Sequence, residues 1–111
     1  MRKSKINISG FKIGTAENRE GLTGVTVILA PDGGATAGVD VRGCAPGTRE
    51  TDLLDPRKTV QKIHAVVLSG GSAFGLEAAS GCVKYLAEQG VGFPIGNVCV
   101  PIVCSAVLFD L

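Results

Sequence analysis

The chain has 111 residues, the size of one small domain, and its formal net charge at pH 7 is +1. A hydrophobic fraction of 45% excludes a disordered chain, and the balanced charge lacks the basic excess that nucleic-acid binding requires. The 16 glycines and the aromatic content of 5% favour tight turns and close backbone packing over an aromatic binding platform.

The sequence carries no targeting or membrane-spanning signal. The basic cluster of Arg2, Lys3 and Lys5 is followed by residues 6–10, which do not form the apolar core of a signal peptide. The longest apolar stretch, 98–109, contains Pro101 and is shorter than the roughly 20 residues that cross a bilayer. We therefore expect a cytoplasmic protein with neither a membrane nor a nucleic acid as its partner.

The cysteines do not follow the spacing of a metal site. No Cys-x-x-Cys pair occurs, and His64 is the only histidine that could join them. We expect no metal and no cofactor. Because no export signal is present, we expect small buried thiols rather than disulfides from Cys44, Cys82, Cys99 and Cys104.

The first half of the chain reads as an antiparallel meander. Residues 11–14 form a short β-like run, and residues 23–30 are rich in β-branched side chains. The run 31–34 has turn residues, and 36–42 alternates as a strand with one solvated face does.

Residues 43–56 form a polar loop that is long for a structureless connection in a compact domain, a length consistent with a functional role. The alternative is an ordinary exposed loop in which Arg49 and Glu50 pair weakly at the surface. The carboxylates Glu50, Asp52 and Asp55 would need a cleft and shifted pKa values to act as acid or base. Asp55 also fits a turn or a helix start, because a proline follows it.

The clearest unit is a strand, a glycine turn and a helix. Residues 63–68 predict a buried strand, and Ser72 fits the N-cap of a helix that ends near Gln89, with Gly90 behind it. Glycines inside this helix cost about 1 kcal/mol each against alanine, so Gly75 and Gly81 indicate close packing. The i, i+3, i+4, i+7 spacing predicts one apolar face of this helix, made of Ala79, Cys82, Val83 and Leu86.

Beyond the helix the pattern is extended. Residues 91–96 predict a short extended piece, and 98–109 predict a bent strand with Pro101 at its start or at a sheet edge.

The Gly70-Gly71-Ser72 turn is open to three interpretations. A nucleophile elbow would need glycine where Phe74 stands, and the only histidine precedes the serine. Backbone N–H groups at a helix start can bind an anion, although the full dinucleotide motif and a P-loop lysine are missing. Ser72 could also only cap the helix. For His64, a satisfied, half-buried side chain is favoured over a catalytic base.

Three segments in register, 41–54, 68–79 and 100–111, together with the strand at 24–28, resemble the DmpA-type L-aminopeptidase/D-esterases. The resemblance covers nearly the whole chain after about Ile6. This family includes β-peptidyl aminopeptidases and a nylon-oligomer hydrolase. Cys104-Ser105 departs from the family pattern, which has Pro-Ala there.

The resemblance implies a fold and a mechanism. The fold is an αββα sandwich like that of ornithine acetyltransferase. Family members cut their own precursor once, and the new amino-terminal Ser or Thr becomes the nucleophile, with the free α-amine or a nearby group as base. Backbone N–H groups and an Asn side chain stabilise the oxyanion. Assemblies are commonly tetramers or larger.

We therefore expect an α/β chain whose residues 1–111 form the amino-terminal portion of a single αββα domain, truncated before the nucleophile. This partial sandwich should hold a mainly antiparallel sheet and one long helix at about 72–89. Its partners should be the remainder of its own precursor, further copies of itself and a small peptide or amide substrate.

The resemblance places no catalytic residue in this chain, which we expect to be inactive alone. It implies a substrate-pocket wall made of Gly70, Gly71, Ser72, Phe74 and Phe109. Phe109 stands where several relatives have a tyrosine, and Val107 or a neighbour stands where some have a glutamate that holds the substrate amine. The alternatives are a non-catalytic module that binds small anions at the 70–72 helix start, or an inactive assembly piece.

Overall fold

The computed structural model describes residues 7–111, so the basic cluster near the amino terminus lies outside the described residues. Seven strands and one α-helix are present in this part of the chain. The helix, α1, spans Ala78–Glu88 and continues from a 3₁₀ segment at Ser72–Glu77, and a short 3₁₀ turn spans Asp52–Leu54. The strands are β1 Lys12–Asn18, β2 Thr23–Leu29, β3 Thr48–Arg49, β4 Ala65–Ser69, β5 Phe93–Ile95, β6 Val98–Val100 and β7 Val103–Val107.

Five strands form one mixed sheet in the order β1-β2-β4-β7-β3. All neighbours are antiparallel except β4 and β7, which are parallel and joined by the crossover that contains α1. The remaining strands, β5 and β6, form a separate antiparallel pair. The predicted α/β class is confirmed, as are the mainly antiparallel sheet and the single helical segment that starts at Ser72.

The helix packs on one face of the sheet and forms the main core. Ala79, Cys82 and Leu86 are buried and Val83 is half-buried, which confirms the predicted apolar face. Burying a leucine side chain such as Leu86 stabilises the fold by about 1.5–3 kcal/mol. The sheet contributes alternate residues of its central strands to this core, namely Ala65, Val67 and Val103.

The opposite face of the sheet is covered by the segment between β2 and β4. Ile63, Ile102 and Cys104 are buried there, and Leu53 and Leu54 of the 3₁₀ turn pack against them. The cover is partial, because Leu68 on the same face of β4 is 46% exposed.

The predicted strand at 36–42 is wrong. In its place the structure has a single bridge between Ala35 and Ile63. The physical reason is that β2 and β7 already pair with both edges of β4. Gly33 and Gly34, with φ of 87° and 86°, also turn the chain before it could extend β2.

Two other boundaries differ from the prediction. The 43–56 loop contains β3 and a 3₁₀ turn, so much of it is ordered against the sheet edge. The predicted bent strand at 98–109 divides into β6 and β7, which belong to different sheets. Pro101 stands between them, where its missing N–H removes a ladder hydrogen bond.

Candidate functional site

The glycine turn lies at the end of β4 and is strained. Gly71 and Ser72 both have left-handed backbones, with φ of 89° and 52°. Ser72 is not the predicted N-cap: Gly71 holds that position, and no side chain caps the segment. Gly70 is buried, and a Cβ there would overlap the Asp110 carboxylate and the Thr23 hydroxyl. A side chain at position 70 would therefore displace the carboxylate and the hydroxyl from each other's reach.

The backbone N–H groups of the turn are already engaged. Gly70 donates to the Gly24 carbonyl at 2.8 Å, and Ser72 donates to the Leu108 carbonyl at 2.9 Å. Gly71 donates to Oδ1 of Asp110 at 2.6 Å. The chain thus supplies its own carboxylate at this helix start. All three N–H groups therefore have partners within the described part of the chain, which leaves no free donor among them for the alternative of an external anion.

Asp110 is the site residue that sequence reasoning missed. Its second oxygen, Oδ2, accepts a hydrogen bond from the Thr23 hydroxyl at 2.8 Å. The Gly71 N–H and then the Thr23 hydroxyl hold the pKa of this carboxyl below its usual range. Thr23 and Asp110 are 87 residues apart, so no local pattern connects them.

An open groove of about 1010 Å³ adjoins the turn. Its walls come from the facing ends of β1 and β2, from Ser69 and Gly70, and from Leu108 and Asp110. Of the predicted pocket residues, all of which lie in the described part, only Gly70 lines this groove. Phe74 and Phe109 are 82% and 83% exposed. Phe74 follows the turn directly in sequence, and Phe109 follows Leu108, which is hydrogen-bonded to Ser72.

Ser72 and His64 do not form a nucleophile–base pair. They lie beyond opposite ends of β4, a strand of 5 residues, which separates them by roughly 16 Å at about 3.3 Å per residue. Nδ1 of His64 accepts a hydrogen bond from the Ile102 N–H at 3.1 Å, and burial lowers the pKa of the imidazole. The interpretation of His64 as a satisfied histidine is confirmed, although at 6% exposure it is more buried than expected.

The charged residues of the 43–56 segment serve the fold rather than a common cleft. Arg49 donates to Oγ of Ser80 at 2.6 Å and to the Leu76 carbonyl at 3.3 Å, which ties the sheet edge to the helix start. The proposed weak pairing of Arg49 with Glu50 is therefore wrong. Asp55 pairs with Arg57 at 2.7 Å, and that hydrogen bonding lowers the pKa of the carboxyl.

Among residues 7–111 no three or more histidine, cysteine, aspartate or glutamate side chains are grouped as metal ligands would be. Cys82 and Cys104 are buried, and burial raises the pKa of both thiols. Cys44 is exposed and Cys99 is half-buried, so the prediction of buried thiols holds for two of the four. In the same part of the chain, no helix combines the length and the apolar character that a bilayer crossing needs.

The sequence matches a known protein family over most of its length. The model of peptidase family S58 matches residues 5–111, so the chain belongs to this family. The match confirms the resemblance to the DmpA-type enzymes.

The relatives extend the comparison. Over 88 residues the chain is 54% identical to an uncharacterized aminopeptidase of Mycobacterium tuberculosis H37Rv, which covers 79% of this chain and 25% of the relative. It is 37% identical over 106 residues to a 6-aminohexanoate-oligomer endohydrolase of Paenarthrobacter ureafaciens, covering 96% of this chain and 27% of the relative. The chain spans about a quarter of the length of these curated relatives.

Proposed function

We propose that the complete protein is a self-processing hydrolase that cleaves amino-acyl amide, peptide or ester bonds. The family match over residues 5–111 carries this proposal. The names of its relatives, an aminopeptidase and an oligomer endohydrolase, point to amide bonds of small substrates. In this proposal residues 1–111 are the amino-terminal portion of one domain, and the nucleophile lies beyond residue 111.

The chemistry follows from an amino-terminal Ser or Thr nucleophile released by self-cleavage. Its hydroxyl attacks the substrate carbonyl while the free α-amine, or a neighbouring group, takes the proton. Backbone N–H groups and an Asn side chain stabilise the oxyanion, and the amine leaves with the transferred proton. Water then hydrolyses the acyl-enzyme. The 111-residue chain alone is inactive in this mechanism.

The contribution of residues 1–111 is one wall of the substrate pocket. Gly70, Gly71 and Ser72 shape it, and Phe74 and Phe109 supply its apolar contacts. The large exposed fractions of both aromatic rings support this role. Phe109 lacks the phenol oxygen of tyrosine and cannot hydrogen-bond to substrate or nucleophile. Val107 or a neighbour stands where some relatives have the glutamate that holds the substrate amine, and an apolar side chain there favours substrates recognised by apolar contact.

The test is the intact mass and amidase activity of the product of the complete reading frame. Two fragments whose masses sum to that of the precursor plus one water are expected, together with hydrolysis of an amino-acyl p-nitroanilide. The first residue of the second fragment is then replaced by alanine, which should abolish both cleavage and hydrolysis. A precursor that stays uncut and inactive contradicts the proposal.

The same preparation addresses the remaining expectations. Size-exclusion chromatography with light scattering measures the proposed homo-oligomer, and co-purification of both fragments measures the proposed association with the rest of the precursor. Cell fractionation checks the expected cytoplasmic location.

A further inference from the structure

The segment 108–110 is fastened to the glycine turn from both sides of Phe109. The Leu108 N–H donates to the Ser69 carbonyl at 2.8 Å, and the Ser72 N–H donates back to the Leu108 carbonyl at 2.9 Å. On the other side, the Asp110 carboxylate accepts from the Gly71 N–H at 2.6 Å. Phe109 is the one residue of this segment without such a bond, and its ring projects outward at 83% exposure.

Asp110 also connects this pair of segments to the sheet. Oδ2 accepts from the hydroxyl of Thr23, the first residue of β2, at 2.8 Å. One carboxylate thereby joins three separate parts of the chain: the start of β2, the turn after β4 and the segment after β7. The missing side chain of Gly70 leaves the space that the carboxylate and the threonine hydroxyl occupy.

We propose that Asp110 is a positioning residue that locks the strained glycine turn to β2 and so holds the Phe109 ring in place for the substrate. This inference rests on the proposed hydrolase function. A carboxylate suits the task because it accepts two hydrogen bonds in different directions at once. The left-handed backbone of Ser72, which a non-glycine residue adopts only at a cost, needs such external bonds.

A role as a mere helix cap does not account for the second bond. A capping carboxylate needs only the N–H groups of the helix start. The Thr23 bond adds a link across 87 residues of sequence, and both of its partners line the adjoining groove. Thr23 is therefore part of the same unit, and its loss should act through Asp110.

The experiment uses the complete protein, four single variants and the double variant Thr23→Val/Asp110→Ala. Asp110→Ala removes both bonds, Asp110→Asn keeps an acceptor for Gly71 and a partner for Thr23, and Thr23→Val removes one hydroxyl at constant shape. Asp32→Ala, at an exposed aspartate after β2, is the matched control. Amide hydrogen exchange of peptides covering 69–75 and 107–111 is measured together with kcat and KM for an amino-acyl p-nitroanilide.

We expect Asp110→Ala to lower kcat/KM about 10- to 100-fold, as misplacement of a pocket group by about 1 Å does. Exchange of both peptides should accelerate about tenfold. Asp110→Asn should recover activity to within about threefold of wild type, and Asp32→Ala should change neither readout. Adding Thr23→Val to Asp110→Ala should have no further effect, because the shared bond is already lost.

Unchanged hydrogen exchange of peptide 69–75 in Asp110→Ala overturns the proposal that Asp110 locks the glycine turn to β2. Unchanged kcat/KM with accelerated exchange overturns the positioning role. If Asp110→Ala does not fold, Thr23→Val, which removes one of the two bonds, decides by the same criteria. A wild-type protein without hydrolase activity contradicts the proposed function instead. The hydrogen-exchange data alone then support or overturn the lock that Asp110 forms between the turn and β2.

Discussion

Replacing Gly75 with alanine is expected to separate the helix start from the glycine turn. A Cβ at this position would overlap the Gly70 carbonyl group, which is backbone and cannot rotate away. Overpacking substitutions cost about 1–3 kcal/mol, and a backbone overlap belongs at the upper end. The gain in helix propensity from glycine to alanine is about 1 kcal/mol. The net destabilisation should therefore be about 2 kcal/mol.

Gly81 provides the matched control because it lies on the exposed face of α1. No atom lies within 4 Å of a Cβ built at this position. Gly81→Ala should therefore stabilise the protein by up to about 1 kcal/mol. Urea titration of both variants measures the difference, which should be about 3 kcal/mol, and thermal melting should separate them by about 12–24 °C. A Gly75→Ala protein as stable as Gly81→Ala would refute the packing argument.

Further predictions concern the buried polar and thiol groups. The Ser105 hydroxyl is buried without a hydrogen-bond partner among residues 7–111, so Ser105→Ala should raise the free energy of unfolding by about 1 kcal/mol. A lower free energy of unfolding in urea titration would contradict this. In the folded protein, iodoacetamide should label the exposed Cys44 well before Cys82 and Cys104, because burial hides these two thiols and raises their pKa values. Mass mapping of the labelled peptides measures the difference in labelling rate, which unfolding in urea should abolish. Burial lowers the pKa of His64, the only histidine, so its stabilising contribution is present above about pH 6.5 and is lost as the pH falls through the folded pKa. Stability measured between pH 7 and 5 should therefore fall, and His64→Asn should remove that fall.

Local patterns were sufficient for the elements that bury one face. The spacing of Ala79, Cys82 and Leu86 identifies the helix face because these side chains alone decide what the helix packs against. The strand at 36–42 failed for a non-local reason, since alternation does not reveal whether a partner edge is free. The splitting of β6 from β7 has the same cause: Pro101 indicated a break, and only tertiary structure shows that the two strands pair in different sheets.

The glycines illustrate the same limit in one helix. By helix propensity, Gly75 and Gly81 each destabilise the helix by the same amount relative to alanine, and both therefore indicated close packing. In the structure only Gly75 meets a neighbour, because it faces the Gly70 carbonyl while Gly81 faces solvent. Which side of the helix meets the turn depends on the preceding 3₁₀ segment, and helical periodicity does not describe that segment.

For the candidate site, sequence reasoning found the glycine turn and missed its carboxylate. The resemblance placed Gly70, Gly71 and Ser72 near a pocket, and a groove adjoins Gly70 in the structure. Their role at a substrate pocket stays a prediction for all three residues. Asp110 was not singled out, since a single aspartate after an apolar strand has no distinguishing local pattern. Its role depends on Gly71 and Thr23, which the chain brings to it only on folding.

The position of β7 has a consequence for how the chain folds. This strand is the last to be synthesised of those described, yet it lies between β4 and β3 in the sheet. Until residues 103–107 leave the ribosome, β4 has one unpaired edge and the short β3 has no partner at all. Contacts this distant in sequence slow folding, and an open apolar edge can pair with other chains. A chaperone that shields β4 during synthesis would therefore raise the yield of native protein.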